Sequence, residues 1–253
     1  MKKFTLILMS LLVFLVPIAV SSSENQITYA PRIHVKEGTS TNWAGYAVLT
    51  NLAAPQKGAV TDVKGSWVVP FVDCVSTPSA YSSFWVGIDG YSSNTVEQTG
   101  TDSDCSSGTA RYYAWYEMYP KFPFNLKMKI SPGDVMSAEV AYIGNGKFRL
   151  VITDTTTGAI FSTTQTSKNA AKSSAEWIAE APSSSGGVLP LANFGTASFN
   201  SAYATLNGVT ASINSPNWQN DAINMTTQSG ILKAQTSVLS PDGTNFSVSW
   251  QHS

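Results

Sequence analysis

Short runs of aromatic and β-branched residues, separated by turn residues, set the tightest limit on what this chain can fold into. Runs of this composition favour β-strands. The five clearest are Lys64–Pro70, Tyr81–Ile88, Arg111–Tyr119, Val135–Ile143 and Lys147–Thr153. Asn145-Gly146 joins the last two runs, and this pair favours a type I′ hairpin turn, which needs positive φ. The pattern predicts an all-β fold of antiparallel strands.

Side chains alternate between the two faces of a strand, which divides the run Arg111–Tyr119 into two sets. One face carries Arg111, Tyr113, Trp115, Glu117 and Tyr119. A carboxylate among aromatic rings is typical of the floor of a binding cleft. The same pattern also fits an aromatic core with Glu117 at its edge, and the alternation alone favours neither interpretation.

The first 23 residues have the organisation of a secretory signal peptide. Lys2 and Lys3 precede an apolar run, Phe4–Val20, which small residues follow. The alternative is a membrane anchor, but the run is marginal in length for a span, contains Pro17 and lacks a basic stop after it. We therefore expect export, cleavage of residues 1–23, a secreted extracellular protein and no stable membrane association after cleavage.

The rest of the chain divides into a leader and one domain. Residues 24–41 are polar and lack periodicity, so we interpret them as a leader or short propeptide. We expect Glu24 to about Thr39 to pack loosely or to be removed after shielding an acidic cleft at neutral pH. Strand-like sequence follows from Asn42 without a repeat or an interdomain linker. Residues 42–253 are accordingly predicted to form a single domain of ordinary size for an all-β protein, and we expect a monomer.

Charge and cysteine content narrow the choice of partners and compartment. Charged residues make up 12% of the chain and the formal net charge is −1, without a basic cluster. Nucleic acid is therefore a poor candidate partner, because phosphate binding needs concentrated positive charge. Few carboxylates need protonating when the pH falls, which suits an acidic medium. The only cysteines, Cys74 and Cys105, are expected to form one disulfide in an exported protein.

The scarcity of histidine excludes most familiar hydrolytic centres. The chain has only His34, in the leader, and His252, beside the C-terminus, so neither is well placed to act as a catalytic base. The sequence has no HExxH motif, no clustered zinc ligands and no glycine-rich phosphate loop. We therefore expect no metal and no cofactor. Hydrolysis would have to use carboxylates, amides and tyrosines.

The candidates for that chemistry lie in a series of short motifs, each of which is weak by itself. They are Asp89 in WVGIDG, Gln98 in QTG, Glu117 in AWYEMYP, and Glu176 and Glu180 in EWIAE. Together with the NWAG motif at Asn42 and the LPLANFG motif at Leu189, and in this order, the set resembles the glutamic peptidases (eqolisins). The likeness is strong from Asn42 to Phe194 and weaker afterwards.

The resemblance implies an antiparallel β-sandwich of two sheets, concanavalin-like and of jelly-roll type, with a cleft along one sheet. It implies a catalytic pair made of Gln98 and Glu180. The matching positions that line or support the site are Glu117, Asp89, Trp43, Trp85, Trp115 and Tyr119. It also settles one local ambiguity: Asn169–Ala181 has the composition of a helix, but the resemblance favours mainly a strand.

The function implied by the resemblance is that of an acid-active endopeptidase acting on polypeptides. Glu180 would activate water as a general base, and the Gln98 amide, which cannot ionise, would stabilise the oxyanion. Two alternatives remain at this point. One is a glycoside hydrolase that uses Glu117 and Glu180 as its paired carboxylates. The other is a non-catalytic module that binds carbohydrate or peptide on its tryptophan-lined face.

Overall fold

The computed structural model describes Met1 and residues 26–253, so the predicted signal peptide lies almost entirely outside the described residues. Within the described residues the chain forms strands and turns, and no helix is present. The described residues therefore contain no helix that is long and apolar enough to cross a membrane. The strands are β1 (Thr39–Ser40), β2 (Trp43–Leu49), β3 (Val60–Val68), β4 (Ser83–Ile88), β5 (Val96–Ser106), β6 (Thr109–Tyr119), β7 (Phe124–Asn125), β8 (Val135–Gly144), β9 (Lys147–Asp154), β10 (Ala159–Thr166), β11 (Ser174–Glu180), β12 (Ser183–Ser184), β13 (Gly187–Val188), β14 (Thr196–Leu206), β15 (Val209–Ser212), β16 (Gln219–Thr226), β17 (Leu232–Thr236) and β18 (Phe246–Trp250).

The strands form one continuous hydrogen-bonded path that folds over into two layers. Its order is β10-β9-β8-β3-β14-β18-β17-β16-β2-β11-β4-β5-β6-β7, with β15 beside β14. Neighbours on the path pair antiparallel, and the short β1 pairs parallel with β16. A separate small sheet contains β12 and β13.

Both layers contribute side chains to the same large core. Trp67 and Phe199 from the β3–β14 layer are fully buried in one cluster with Phe84 and Trp177 from the β4–β11 layer. The layers are also joined by polar contacts, since Trp177 Nε1 donates to the Lys64 carbonyl oxygen at 2.8 Å. The all-β, two-layered architecture predicted from the sequence is confirmed.

Local predictions from the sequence agree with the structure. Each of the five predicted runs falls on a strand, and Asn145 and Gly146 form the turn between β8 and β9 with φ of 53° and 70°. Ser174–Glu180 is a strand despite its helical composition. Tertiary context overrides propensity here because β11 pairs on both sides, with β2 and β4, and is buried along its whole length.

Cys74 and Cys105 form the predicted disulfide, with their Cα atoms 5.3 Å apart. Cys105 lies on β5, the strand that also carries Gln98. The bridge closes a loop with a sequence separation of 31. This loop contains both the WVGIDG and the QTG motif.

Replacing both cysteines with serine should lower the free energy of unfolding by roughly 3–4 kcal/mol, because the unfolded chain regains the entropy of this loop. For a domain of this size the melting temperature should fall by roughly 6–16 °C, measured by calorimetry at one pH and scan rate. Equal melting temperatures for the double variant and the oxidised parent would show that the disulfide does not stabilise the fold.

Candidate active site

The outer face of β2, β4, β5, β6 and β11, here called the site face, carries a second buried aromatic cluster. On β6 the alternation predicted from the sequence holds: Trp115 and Glu117 are buried on the site face, whereas Ala114 and Met118 belong to the core between the layers. The sequence left two interpretations of this face, the floor of a binding cleft or an aromatic core with Glu117 at its edge. Neither describes the structure fully, because Glu117 is completely buried and the Tyr29 segment covers it. The other cluster members are Tyr29, Trp43, Ala47, Leu49, Trp85, Val96, Ile178 and Ile223.

Two glycines of the motifs make room for the large side chains on this face. A Cβ on Gly87 would lie 2.9 Å from Trp85 and 3.0 Å from Cβ of Gln98. A Cβ on Gly100, the glycine of the QTG motif, would lie 2.5 Å from Cβ of Trp85. Distances this short leave no space for a side chain, so the glycines allow Trp85 and Gln98 to lie close together over the centre of the sheet.

Part of the leader lies across the site face. Tyr29 is only 1% exposed and stacks on Trp115 with ring centroids 3.7 Å apart. The segment is held before and after this residue, because Thr28 pairs with Ser183 and the Arg32 amide donates to the Gly90 carbonyl at 3.0 Å. The expectation of a loosely packed leader is therefore wrong for this segment. Its removal stays a prediction.

Gln98 and Glu117 face each other on paired strands and hold the peptide groups of Tyr29. Gln98 Nε2 donates to Glu117 Oε2 at 2.7 Å and to the Tyr29 carbonyl oxygen at 2.8 Å. The Tyr29 amide donates to Glu117 Oε1 at 3.4 Å. The amide of Gln98 thus points its NH₂ group, and not its oxygen, at a peptide carbonyl.

Glu180 lies beside the same stretch of leader. Its Oε2 accepts from Trp85 Nε1 at 2.9 Å, and its Oε1 accepts from Asn42 Nδ2 at 3.4 Å. Asn42 Nδ2 also donates to the carbonyl oxygens of Ala30 and Pro31, both at 3.2 Å. Gln98 therefore contacts the segment directly, whereas Glu180 is connected to it through Asn42.

The remaining predicted site residues support this arrangement from different positions. Trp43 contacts Trp85 edge to face at 5.0 Å and donates from Nε1 to the Ala30 carbonyl at 3.0 Å. Tyr119 packs at the margin of the aromatic cluster. The Asp89 carboxylate accepts the amides of Lys172 and Ser173 at 2.6 and 2.9 Å and makes no hydrogen bond to the leader among the described residues. Asp89 thus fixes the turn that precedes β11.

Asp102 is a site residue that the sequence argument did not single out. It is fully buried, and Trp115 Nε1 at 2.6 Å and Ser83 Oγ donate to its Oδ1. Its Oδ2 accepts from the hydroxyls of Tyr29 and Tyr113, both at 2.8 Å. Strand alternation applied to β5 would have indicated it, because Asp102 lies four residues beyond Gln98 and so on the same face.

Burial determines the electrostatics of the occupied site. It raises the pKa of Glu180 well above its ordinary value, and the nearby Glu117 carboxyl raises it further. Burial likewise raises the pKa of Glu117, although the hydrogen bonds from Tyr29 and Gln98 act in the opposite direction. The pKa of Asp102 is raised to about 6 by burial, with its hydrogen bonds limiting the rise. These carboxyl groups are therefore biased toward their uncharged forms while the leader covers them.

Metal ligands are not assembled in the described part of the chain. Within residues 26–253 no group of three or more His, Cys, Asp or Glu side chains is placed to hold a metal ion. The carboxyls of the site are instead engaged by N–H and O–H donors. The arrangement can act on a peptide carbonyl through hydrogen bonds and proton transfer.

Comparison with known proteins identifies the family to which this site belongs. Residues 41–250 match the sequence profile of the peptidase A4 family. The chain belongs to the peptidase A4 family. Aspergillopepsin-2 of Aspergillus niger is 29% identical over 197 residues, which cover 69% of this chain and 67% of that protein. The family's enzymes are glutamic endopeptidases, so the resemblance seen in the motifs is confirmed.

Solved structures of glutamic peptidases share the fold. Scytalido-glutamic peptidase, solved with a transition-state analogue inhibitor, matches with a TM-score of 0.69 and 25% identity, covering 83% of this chain and 98% of that one. Aspergilloglutamic peptidase from Aspergillus niger matches with a TM-score of 0.61 and 28% identity, covering 68% and 99%. The family match also extends well past Phe194, where the likeness of the motifs weakens.

Proposed function

We propose that this peptidase A4 enzyme is a secreted acid endopeptidase in which Gln98 and Glu180 form the catalytic pair. One observation carries the proposal: the Gln98 amide donates to the carbonyl oxygen of a peptide that lies across the site face. An amide group keeps its N–H donors at every working pH. A donor aimed at a carbonyl oxygen is the arrangement that stabilises the oxyanion formed during peptide hydrolysis.

Glu180 supplies the proton transfers. Once a substrate replaces the leader and water enters, the ionised carboxylate takes a proton from water as the water oxygen attacks the carbonyl carbon. The resulting carboxylic acid gives that proton to the leaving nitrogen as the C–N bond breaks. Exposure to water also removes part of the burial that raises the pKa of Glu180, so a larger fraction is ionised in mild acid.

The neighbouring side chains orient this pair. Glu117 accepts a hydrogen bond from Gln98 Nε2, which fixes the amide with its donor toward the substrate carbonyl. Trp85 and Asn42 hold the two oxygens of Glu180 through separate donors. Trp43 and Trp115 contact the peptide in the cleft and would contact a substrate in the same way.

The leader fits a role as a propeptide. Residues 27–32 occupy the positions that a substrate needs, so residues 24–41 must move or be removed before another polypeptide can bind. The mature protein would be a monomer of one domain, residues 42–253, that acts outside the cell on polypeptides. It would need no metal or cofactor and would bind neither nucleic acid nor membranes.

The family membership favours hydrolysis of peptides over the two alternatives drawn from the sequence. A glycosidase would use Glu117 and Glu180 as paired carboxylates across an open cleft. In this structure Glu117 is hydrogen-bonded to Gln98 and to the backbone of Tyr29, which suits a positioning group. A pure binding module has no need for the catalytic pair.

Zymography should separate these functions. Leader-free protein is expected to digest casein at mildly acidic pH and to leave xylan and cellulose intact. Pepstatin should inhibit poorly, because the site is not a pair of aspartates sharing one proton. Clearing of a polysaccharide gel, or no clearing of any gel at any pH between 2 and 7, would contradict the proposal.

A further inference from the structure

Tyr29 occupies a pocket that is shaped for its whole side chain. The ring stacks on Trp115 with an interplanar angle of 11°, and the hydroxyl donates to Asp102 Oδ2 at 2.8 Å. Tyr29 is 1% exposed and Asp102 is fully buried, so this hydrogen bond lies in a dry environment. The pocket therefore recognises both the aromatic ring and the phenolic hydroxyl.

We propose that Asp102 makes the enzyme selective for tyrosine on the amino side of the cleaved bond, and that the Tyr29–Ala30 bond of the leader is its first substrate. This inference rests on the proposed roles of Gln98 and Glu180. It adds the residue that determines specificity and the bond that is cut during maturation.

The register of the leader places the Tyr29–Ala30 bond at the reacting position. The Tyr29 carbonyl is the one that the Gln98 amide contacts. The next carbonyl, that of Ala30, is held by Trp43 Nε1 at 3.0 Å and by Asn42 Nδ2 at 3.2 Å. The chain is thus fixed on both sides of the Tyr29–Ala30 bond.

A second anchor farther along the leader supports the same register. Arg32 Nη1 lies 2.8 Å from Asp221 Oδ2, and its guanidinium stacks over the Tyr91 ring at 3.8 Å. The Tyr91 hydroxyl donates to the same carboxylate oxygen at 2.7 Å. With Tyr29 and Arg32 both held in pockets, a shift by one residue would remove both side chains from their partners.

The selectivity for tyrosine follows from the donors around Asp102. Phenylalanine could stack on Trp115 in the same way, but it has no hydroxyl to donate to Asp102 Oδ2. Of the two hydroxyl donors to this oxygen, only that of Tyr113 would remain. A buried carboxyl group that loses a donor cannot recover it from water in a closed pocket. Leaving a buried acceptor without its donor in this way corresponds to a factor of roughly 10 to 100 in kcat/KM.

The cleavage itself needs only water as co-reactant. Its oxygen forms a bond with the carbonyl carbon of Tyr29 while Glu180 takes one proton. The C–N bond to Ala30 then breaks, and Glu180 returns the proton to the nitrogen. The products are a carboxyl group on Tyr29 and a new amino terminus at Ala30, and nothing is oxidised or reduced.

Two peptides test the selectivity on the unaltered enzyme. The first has the leader sequence of residues 26–36, and the second has phenylalanine in place of Tyr29. Leader-free enzyme should cleave the first peptide after Tyr29. Its kcat/KM for this peptide should be roughly 10- to 100-fold higher than its kcat/KM for the phenylalanine peptide. Equal values, or cleavage at another bond, would overturn the inference. Because the peptides are compared on one enzyme, the result does not depend on whether a variant folds.

The variants Asp102→Asn and Asp104→Asn form a matched pair. An asparagine at 102 has a single acceptor oxygen for the donors around it, so the ratio between the two peptides should fall toward one. Asp104 is also buried on β5 but contacts Tyr113 and the Ser82 amide, not Tyr29, so its variant should keep a ratio near that of the parent. An unchanged ratio in Asp102→Asn would overturn the role of Asp102.

Maturation is tested on the full chain carrying Glu180→Gln, which serves as the substrate for a trace of active enzyme in mild acid. Mass spectrometry should find a new terminus at Ala30, and adding Tyr29→Phe to the substrate chain should slow this cut by a similar 10- to 100-fold. A different terminus would overturn the register. Casein hydrolysis measured alongside separates the two proposals: if casein is digested while these results fail, the proposed function stands and this inference falls.

Discussion

Replacing Glu180 with glutamine should lower the hydrolysis of casein by about 10⁴-fold and leave the fold intact. The amide cannot take a proton from water, so the general-base contribution is lost. The side chain keeps its size and still offers an oxygen to Trp85 Nε1, which now donates to Glu180 Oε2 at 2.9 Å. The kcat of leader-free protein gives the activity, and circular dichroism with a melting curve gives the folding control.

Glu176→Gln is the matched control. Glu176 is on the same strand and face as Glu180, four residues earlier, and is also fully buried. None of the hydrogen bonds that fix Tyr29, Ala30 or Pro31 comes from it. Its variant should keep kcat within about threefold of the parent, as is usual for a side chain outside the reacting group. Loss of activity in Glu176→Gln with activity retained in Glu180→Gln would mean that the catalytic carboxylate is misassigned.

The residues that we propose as catalytic lie in strands, where alternation and short motifs are local, so their positions on β5 and β11 could be predicted from the sequence. The site face of β6 follows directly from the spacing of Trp115 and Glu117. The path of the leader could not be predicted, because it depends on contacts between residues far apart in sequence. Tyr29 reaches Asp102 across 73 residues, and Arg32 reaches Asp221 across 189. A polar segment without periodicity carries no local signal of such pairing.

The leader-containing chain should be most stable in acid and lose stability as the pH rises toward neutral. The folded protein buries several carboxyl groups whose pKa is raised, first of all by desolvation. The pKa of Glu97 rises from 4.5 to about 8 and that of Asp102 from 3.8 to about 6. The pKa values of Asp104, Glu117 and Glu176 are also raised well above their ordinary values.

The sign of the effect follows from proton binding. Between pH 4 and 8 the folded chain holds protons that the unfolded chain has already released, so unfolding is accompanied by proton release and becomes easier as the pH rises. Three other aspartates act in the opposite sense, because hydrogen bonds lower the pKa values of Asp73, Asp154 and Asp242. The stability that they contribute is lost only below about pH 4, which places the maximum near that value.

The measurement uses the chain with Glu180→Gln, which keeps its leader and cannot digest itself. From pH 5 to pH 7 its free energy of unfolding should fall by roughly 3 kcal/mol or more, at about 1.4 kcal/mol per pH unit for each retained proton. The melting temperature should fall by roughly 6–12 °C or more. Adding Glu176→Gln removes one titrating group, so the slope should become shallower. A melting temperature that rose between pH 5 and 7 would show that these buried carboxyls are ionised in the folded chain.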